Sequence, residues 1–139
     1  MTIVGFNFTS INAEKNGAVK GKVNINNNVS IKDVEEKDLS LGPNKQQALR
    51  FIFEFISKYD PNVGSISLAG DVLFIEEAKK IKEILDGWKK NKKLPKEVTS
   101  RVLNTILGKC NVQALILSEQ VNLPPPIPLP KVQVGEAQK

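Results

Sequence analysis

Apolar residues follow two different periods along the chain, and the change comes near Ile75. Before it, apolar and polar residues alternate, as in strands with one buried face. The clearest case is Val23-x-Ile25-x-Asn27-x-Val29-x-Ile31, where four of five alternate positions are apolar. After Ile75, apolar residues recur at helical spacing. The pattern therefore predicts a sheet over residues 1–75 and helices over residues 76–122.

Three further segments of the first part alternate in the same way, namely Phe6 to Ile11, Leu49 to Phe55 and Ile66 to Phe74. Turn-forming residues lie between strands, at Asn16-Gly17 and at Tyr59–Gly64. Because such short turns leave no room for helical crossovers, we expect an antiparallel meander of about four strands.

Two places interrupt the alternation. Gly70 lies inside the last predicted strand, where a glycine is compatible with a β-bulge. The charged stretch from Asp33 to Lys45 contains the turn signal Gly42-Pro43-Asn44. We therefore predict an irregular connection there.

Two apolar stripes predict the helices. The first helix should end near Lys90 to Lys93, and Leu94-Pro95 should precede the next one, since proline suits a first helical turn. The second stripe leaves open a break around Gly108 to Asn111, so we expect two or three helices. The stripe residues are Ala78, Ile81, Leu85 and Trp88 in the first helix, and Val98, Val102, Ile106, Leu115 and Ile116 in the second.

A proline-rich segment follows the helices. Pro124-Pro125-Pro126 must end any helix, and residues 123–134 are expected to be extended, with polyproline II favoured. A solvated ligand for another protein's aromatic groove need not carry apolar residues. We therefore favour packing of the segment on its own domain or on a second subunit. The candidate partner-binding residues are Leu123, Ile127 and Leu129.

The length of 139 residues and the 40% of hydrophobic residues suit one domain with a core. We place a single α+β domain at residues 1–134 and a loose tail at residues 135–139. Residues 1–10 lack the pattern of a secretory signal, and no stretch approaches the roughly 20 apolar residues of a membrane span. A cytoplasmic protein is therefore expected. Its Lys- and Glu-rich surface is also a composition seen in thermophiles.

Composition removes several kinds of chemistry. The chain has no histidine, and Cys110 is its only cysteine, so histidine-activated nucleophiles, histidine-ligated metals and internal disulfides are excluded. Gly17 to Lys22 matches no phosphate-binding loop. The carboxylate pairs Glu35-Glu36 and Glu76-Glu77 lie among lysines, in a predicted loop and at a helix start. We expect no enzyme, no cofactor, no metal and no small-molecule substrate.

A lysine cluster carries much of the formal net charge of +5. At the end of the first predicted helix, these side chains could contact phosphates of RNA, or could only complement the helix dipole. Trp88 beside them could stack on a base, but it continues the apolar stripe, which favours a place in the core. The candidate RNA-contacting residues are Lys89, Lys90, Lys92, Lys93 and Lys96.

In the order of its elements, the chain resembles the SecB export-chaperone family. The pattern from Leu49 through the Tyr59–Gly64 turn to Ile75 is similar to the family's long central hairpin. The stretch Val102-Leu-Asn-Thr-Ile-Leu-Gly-Lys-Cys-Asn-Val-Gln-Ala-Leu-Ile-Leu is similar to its helical segment around a cysteine-bearing break. Leu123-Pro-Pro-Pro-Ile-Pro-Leu-Pro resembles its extended ending.

This resemblance implies an antiparallel four-stranded sheet backed by helices, a homo-oligomer formed through sheets and helices, and no catalysis. It also implies a groove that holds unfolded or nascent polypeptide by apolar contacts. The bacterial family members are acidic, whereas this chain is basic. The charge keeps a second interpretation open, a ribosome- or RNA-associated protein of the same fold.

Overall fold

The computed structural model describes residues 2–18, 21–41 and 44–127. The predicted α+β fold is confirmed, since a four-stranded antiparallel sheet precedes two helices. Leu129, the tail 135–139 and the turn residues 42 and 43 lie outside the described residues. The elements are β1 (Thr2–Lys15), β2 (Asn24–Leu41), β3 (Asn44–Asp60), β4 (Gly64–Ile75), α1 (Ala78–Asn91) and α2 (Lys96–Gln120).

The strand order differs from a simple meander, because the sheet runs β1-β4-β3-β2. Strands β2 to β4 do form a meander, but β1 pairs with β4. The Asn16-Gly17 dipeptide does not close a β1–β2 hairpin; instead the Asn16 N–H donates to the Val63 carbonyl at 2.7 Å. The connection from β1 to β2, residues 16–23, must cross three strand spacings, about 14 Å. Eight residues span this distance easily.

The prediction of an irregular connection from Asp33 to Lys45 is wrong. Strand β2 continues to Leu41, which pairs with Asn44 at the start of β3. A register shift between Ile31 and Asp33 places Val34 opposite Phe51 of the core. This bulge moves the apolar residues to the other alternate positions, so the period-two pattern is lost from the sequence although the strand continues.

The irregularity expected at Gly70 lies on the neighbouring strand. Strand β4 is continuous through Gly70, whereas β1 shifts register between Phe8 and Ser10, opposite Gly70 and Ala69. A β-carbon at Gly70 would collide with the Asn7 carbonyl oxygen. The glycine therefore permits a close approach of the β1 backbone.

One face of the sheet packs against both helices and forms the core. The alternating residues of β3 are fully buried there, as their pattern predicts: Phe51, Phe53 and Phe55. Helix α2 is continuous through Gly108 to Asn111, so the break left open by the sequence does not occur. Among the described residues, neither helix has the length together with the hydropathy that a transmembrane span requires. The buried residues of α2 recur every four positions: Val102, Ile106, Cys110, Ala114 and Ser118.

Candidate functional site

The outer edge of β1 is an uncharged surface on which apolar and polar side chains are both exposed. In the part of the chain that the structure describes, β1 pairs with β4 alone, so its other edge has no strand beside it. No residue from Thr2 to Ala13 carries a charge. The most exposed apolar side chains of the strand are Ile3 (46%), Val4 (43%) and Ile11 (49%). We call Thr2 to Ala13 the β1 edge.

Aromatic contacts fix the β1 edge to the core. The half-buried rings of Phe6 and Phe8 lie edge to face, with centroids 5.1 Å apart. Phe53 of β3 contacts both, at centroid distances of 5.3 and 6.3 Å. Such aromatic pairs stabilise by about 0.5–1.5 kcal/mol beyond the area that they bury. The strand is thus held in place while its outer edge stays open.

The opposite edge of the sheet is charged along the second half of β2, whereas Asn24 to Ile31 carries no charge. Strand β2 carries six charged residues between Lys32 and Asp38. Ion pairs tie this part of the sheet together, since Arg50 contacts Asp71 at 2.9 Å and Glu35 at 3.2 Å. Charges on an edge strand oppose pairing with another chain. The second half of β2 is therefore poorly suited to accept an additional strand, whereas β1 carries no charge from Thr2 to Ala13.

Helix α2 carries a second exposed apolar surface. Val112 is 59% exposed and Ile116 is 46% exposed. Their i, i+4 spacing places both side chains on one face of the helix, away from the buried stripe. Apolar contacts are therefore available on two sides of this helix, which is unusual for a helix that only covers a sheet.

The lysine cluster is exposed, and the tryptophan beneath it is not. Trp88 is 7% exposed and its Nε1–H donates to the Asp33 carboxylate at 3.2 Å, so its predicted place in the core is confirmed. Lys92, at the C-cap of α1, places its Nζ 5.1 Å from the Trp88 ring centroid. With Trp88 buried, no base can stack on its ring. All five candidate residues are exposed, and none forms an ion pair with a described residue: Lys89, Lys90, Lys92, Lys93 and Lys96.

The start of the proline-rich segment lies on its own domain. Leu123 is buried in the core, and Ile127 is half-buried. The Tyr59 hydroxyl donates to the Pro124 carbonyl at 2.6 Å, and Asn27 Nδ2 donates to the Pro126 carbonyl at 2.8 Å. Of the three candidate partner-binding residues, one is therefore a core residue, one is half-buried, and Leu129 lies outside the described residues.

Two cavities lie beside the helices. A cleft of about 830 Å³ between α1 and α2 is lined by side chains of both charges, among them Glu83, Lys80 and Arg101. A groove of about 250 Å³ between β2 and the helices is lined by Val29, Trp88 and other residues. Its volume is below the roughly 300–1,000 Å³ of ligand pockets. Among the described residues, no cluster of three or more potential metal ligands occurs.

Several of these features are not predicted by the sequence pattern. The absence of charge from Thr2 to Ala13 is visible in the sequence, but only the strand order shows that this segment is an edge. Asn27 is the one polar residue among the inward-facing positions of early β2, a signal that it has a specific partner. Ile116, which the sequence predicts to lie in the apolar stripe of the second helix, is 46% exposed, because the buried residues of α2 continue through Ala114 and Ser118 instead.

Comparisons with known proteins support the fold and no more. No protein-family model matches the chain. No curated protein matches it either. Among solved structures, it is similar to the Rv1957 SecB-like chaperone of Mycobacterium tuberculosis in complex with a ChAD peptide from the Rv1956 HigA1 antitoxin, with a TM-score of 0.54 and 12% identity. The similarity covers 95% of this chain and 89% of that one, so the two share an overall fold.

Proposed function

We propose that this protein is a non-catalytic, SecB-like binding protein that holds unfolded or nascent polypeptide in the cytoplasm, and that the β1 edge is the binding surface. The observation that carries the proposal is an edge strand with no charge from Thr2 to Ala13 and with Ile3, Val4 and Ile11 exposed.

An edge strand suits a client without a fixed sequence. An extended segment can add to the sheet through backbone hydrogen bonds, which do not depend on side chains. The exposed side chains of Ile3 and Ile11 add apolar contact area, and such area stabilises by about 25 cal/mol per Å². Unfolded polypeptides expose both unpaired backbone and apolar side chains, so the edge matches what they share.

The bulges of β1 limit how tightly a client can bind. Register shifts occur between Ile3 and Gly5 and between Phe8 and Ser10. A straight added strand can follow the edge only between these positions or beyond the second one. Short pairing favours weak, reversible binding, which a protein that later releases its client needs. The SecB-like fold of the peptide-bound mycobacterial chaperone supports the same proposal at the level of the fold.

Suppression of client aggregation tests the proposal. The wild-type protein should suppress aggregation of a chemically denatured client at stoichiometric amounts. Ile11→Lys places a charge on the β1 edge and should remove about half of the suppression or more, because an edge charge opposes strand addition.

The matched control is Asn28→Lys, which introduces the same charge at an exposed position of the opposite edge strand. It should suppress aggregation as well as wild type. If the wild-type protein at severalfold excess leaves aggregation unchanged, or if both variants lose suppression equally, the β1 edge does not bind clients.

Self-association belongs to the same proposal. Val112 and Ile116 form an exposed apolar face on α2, and a second copy of the chain can present the same face to it. Such a self-complementary contact is typical of a two-fold symmetric dimer. We therefore assign the β1 edge to clients and the exposed face of α2 to a homo-oligomer.

RNA or ribosome binding is the second candidate function, favoured by the exposure of all five clustered lysines. The lysine side chains would contact phosphates, so binding should weaken steeply with salt. In a sucrose gradient of cell lysate at low salt, the protein should then migrate with ribosomes. Lys92→Glu with Lys93→Glu should lower the salt slope by about two, one for each lysine. Lys58→Glu, at an exposed position of β3, is the control. Protein that stays wholly at the top of the gradient contradicts this function.

A further inference from the structure

The residues Leu123–Ile127, which we call the strap, lie across the end of the sheet. A β-carbon at Gly64 of β4 would be only 3.2 Å from Leu123 Cδ1, so the two residues are in close contact. The Pro124 carbonyl accepts a hydrogen bond from Tyr59 of β3, and the Pro126 carbonyl accepts one from Asn27 of β2. The strap therefore passes over three neighbouring strands in turn rather than running along one of them.

The strap is held through its backbone carbonyls. Tyr59 and Asn27 donate to the carbonyls of Pro124 and Pro126, two residues apart, at 2.6 and 2.8 Å. Prolines have no N–H, so a groove that binds a proline segment must supply donors, and this one supplies two. Neither bond depends on the identity of the strap's side chains. Any extended segment with carbonyls at the same spacing presents the same acceptors.

One of the two donors is oriented by a residue outside the strap. The hydroxyl of Ser57, a fully buried residue, donates to Asn27 Oδ1 at 2.6 Å. This bond fixes the Asn27 amide so that its Nδ2 points towards the strap. We call the site formed by Asn27, Ser57, Tyr59 and Gly64 the strap groove.

An empty strap groove is unfavourable. Tyr59 is 1% exposed, and its hydroxyl donates to the strap carbonyl. If the strap left and nothing replaced it, water would take the place of this acceptor, but the apolar surface that buried Leu123 covers would be exposed to solvent, which is unfavourable. The groove is therefore expected to exchange one occupant for another rather than to stand open.

We propose that the strap groove is a binding site for extended, proline-rich segments of other polypeptides, and that the chain's own strap is a competing internal ligand. An incoming segment replaces Pro124 and Pro126 with its own carbonyls and restores both hydrogen bonds. The aliphatic neighbours of its prolines take the places of Leu123 and Ile127. This proposal is independent of client binding at the β1 edge.

The opposing explanation is that the strap is only a structural clamp. Variants in the strap and in the strap groove distinguish this explanation from the proposal. Pro124→Gly with Pro126→Gly keeps both carbonyls but makes the free strap more flexible and weakens its hold. Asn27→Asp keeps the size of the side chain and replaces the donor with a carboxylate that repels the carbonyl. Asn27 is exposed, so this change should leave the core intact.

The probe is a fluorescein-labelled peptide, Asn-Leu-Pro-Pro-Pro-Ile, whose binding to the full-length protein is measured by fluorescence anisotropy. Wild type should bind it weakly, because its own strap competes. The double proline variant should bind it about tenfold more tightly, since two such substitutions each weaken the strap severalfold. Asn27→Asp introduced into that double variant should abolish the gain.

Trp88 fluorescence during urea unfolding confirms that each variant is folded. If the peptide fails to bind the folded double proline variant, or binds it no better than wild type, the strap is a clamp and the proposal is wrong. Aggregation suppression does not enter this test. A protein that binds the peptide but suppresses no aggregation would support the strap groove and contradict the β1 edge, and the reverse result would contradict the strap groove alone.

Discussion

Cys110 and Tyr59 are titratable residues that lie inside the core, 0% and 1% exposed. Burial raises the pKa of the Cys110 thiol to about 12, from an ordinary value of 9.0. Burial also raises the pKa of Tyr59 to about 12, against a smaller opposing effect of its hydrogen bond with Ser57. Both groups are therefore neutral in the folded protein over a range in which the unfolded chain ionises.

The free energy of unfolding should consequently fall in alkaline solution. Between the ordinary pKa of Cys110, 9.0, and its folded pKa of about 12, the folded protein holds a proton that the unfolded chain releases. Stability then decreases with rising pH, by at most about 1.4 kcal/mol per pH unit for each group.

Urea unfolding at pH 8, 9 and 10 measures this slope. Cys110→Ala should show a shallower loss than wild type, because of the two buried groups only Tyr59 then remains. Equal slopes for the two proteins would show that the thiol ionises in the folded state as readily as in the unfolded state. The same burial should make Cys110 unreactive towards thiol reagents until the protein unfolds.

At the scale of elements, replacing Gly70 and Gly108 with alanine should change the stability of the protein in opposite directions. A β-carbon at Gly70 of β4 would collide with the backbone of Asn7, whereas one at Gly108 of α2 would meet nothing within 4 Å. Gly108→Ala should stabilise the protein by about 0.5–1 kcal/mol, because alanine favours a helix interior. Gly70→Ala should destabilise it by about 2 kcal/mol or more, because β1 must move away from β4.

Chemical denaturation of the two variants beside wild type makes the comparison. If Gly70→Ala is as stable as wild type, the backbone of β1 near Asn7 does not approach Gly70 as closely as described. If Gly108→Ala is destabilising, α2 is interrupted there as the sequence first allowed.

Local pattern predicted most elements, but not how bulges change them. The alternation of Phe51, Phe53 and Phe55 and the helical spacing of Ile81 to Trp88 identified β3 and α1, since one face of each element is buried. The second half of β2 was missed because the bulge between Ile31 and Asp33 reverses which alternate positions face the core. A strand prediction that assumes strict period-two alternation is wrong beyond any β-bulge, because the bulge adds one residue and reverses which positions are buried.

The candidate surfaces were harder to predict than the elements. The lysine cluster is a contiguous run, so it was visible at once. The β1 edge depends on strand order, which local spacing does not contain. The strap groove joins Asn27 and Tyr59 to Pro124 and Pro126, and only the folded chain brings these distant residues together.

For the whole molecule, the apolar face of α2 predicts self-association. Val112→Lys with Ile116→Lys should convert an oligomer into a monomer, because two charges replace the largest exposed apolar side chains of the helix. Light scattering coupled to size-exclusion chromatography measures the mass. The thermal unfolding midpoint of a monomeric form should change little, since neither side chain is buried in its own domain.

The matched control adds the same two charges at the same spacing on two exposed polar residues of the same helix, Ser100→Lys and Asn104→Lys, and should leave the mass unaltered. A wild-type protein that is monomeric at high concentration, or a Val112 and Ile116 variant that stays oligomeric, would contradict the assignment of this face.

The position of β1 beside β4 also governs the order of events during synthesis. Thr2 pairs with Ile75, so β1, which leaves the ribosome before the other three strands of the sheet, has no partner until β4 has emerged. Pairing between such distant segments slows folding and leaves unpaired strands open to aggregation. A nascent chain arrested after Asp60 should therefore leave residues 2–15 open to protease, and protection at that stage would contradict this order. While it is being made, the protein is itself a chain of the kind that a chaperone must hold.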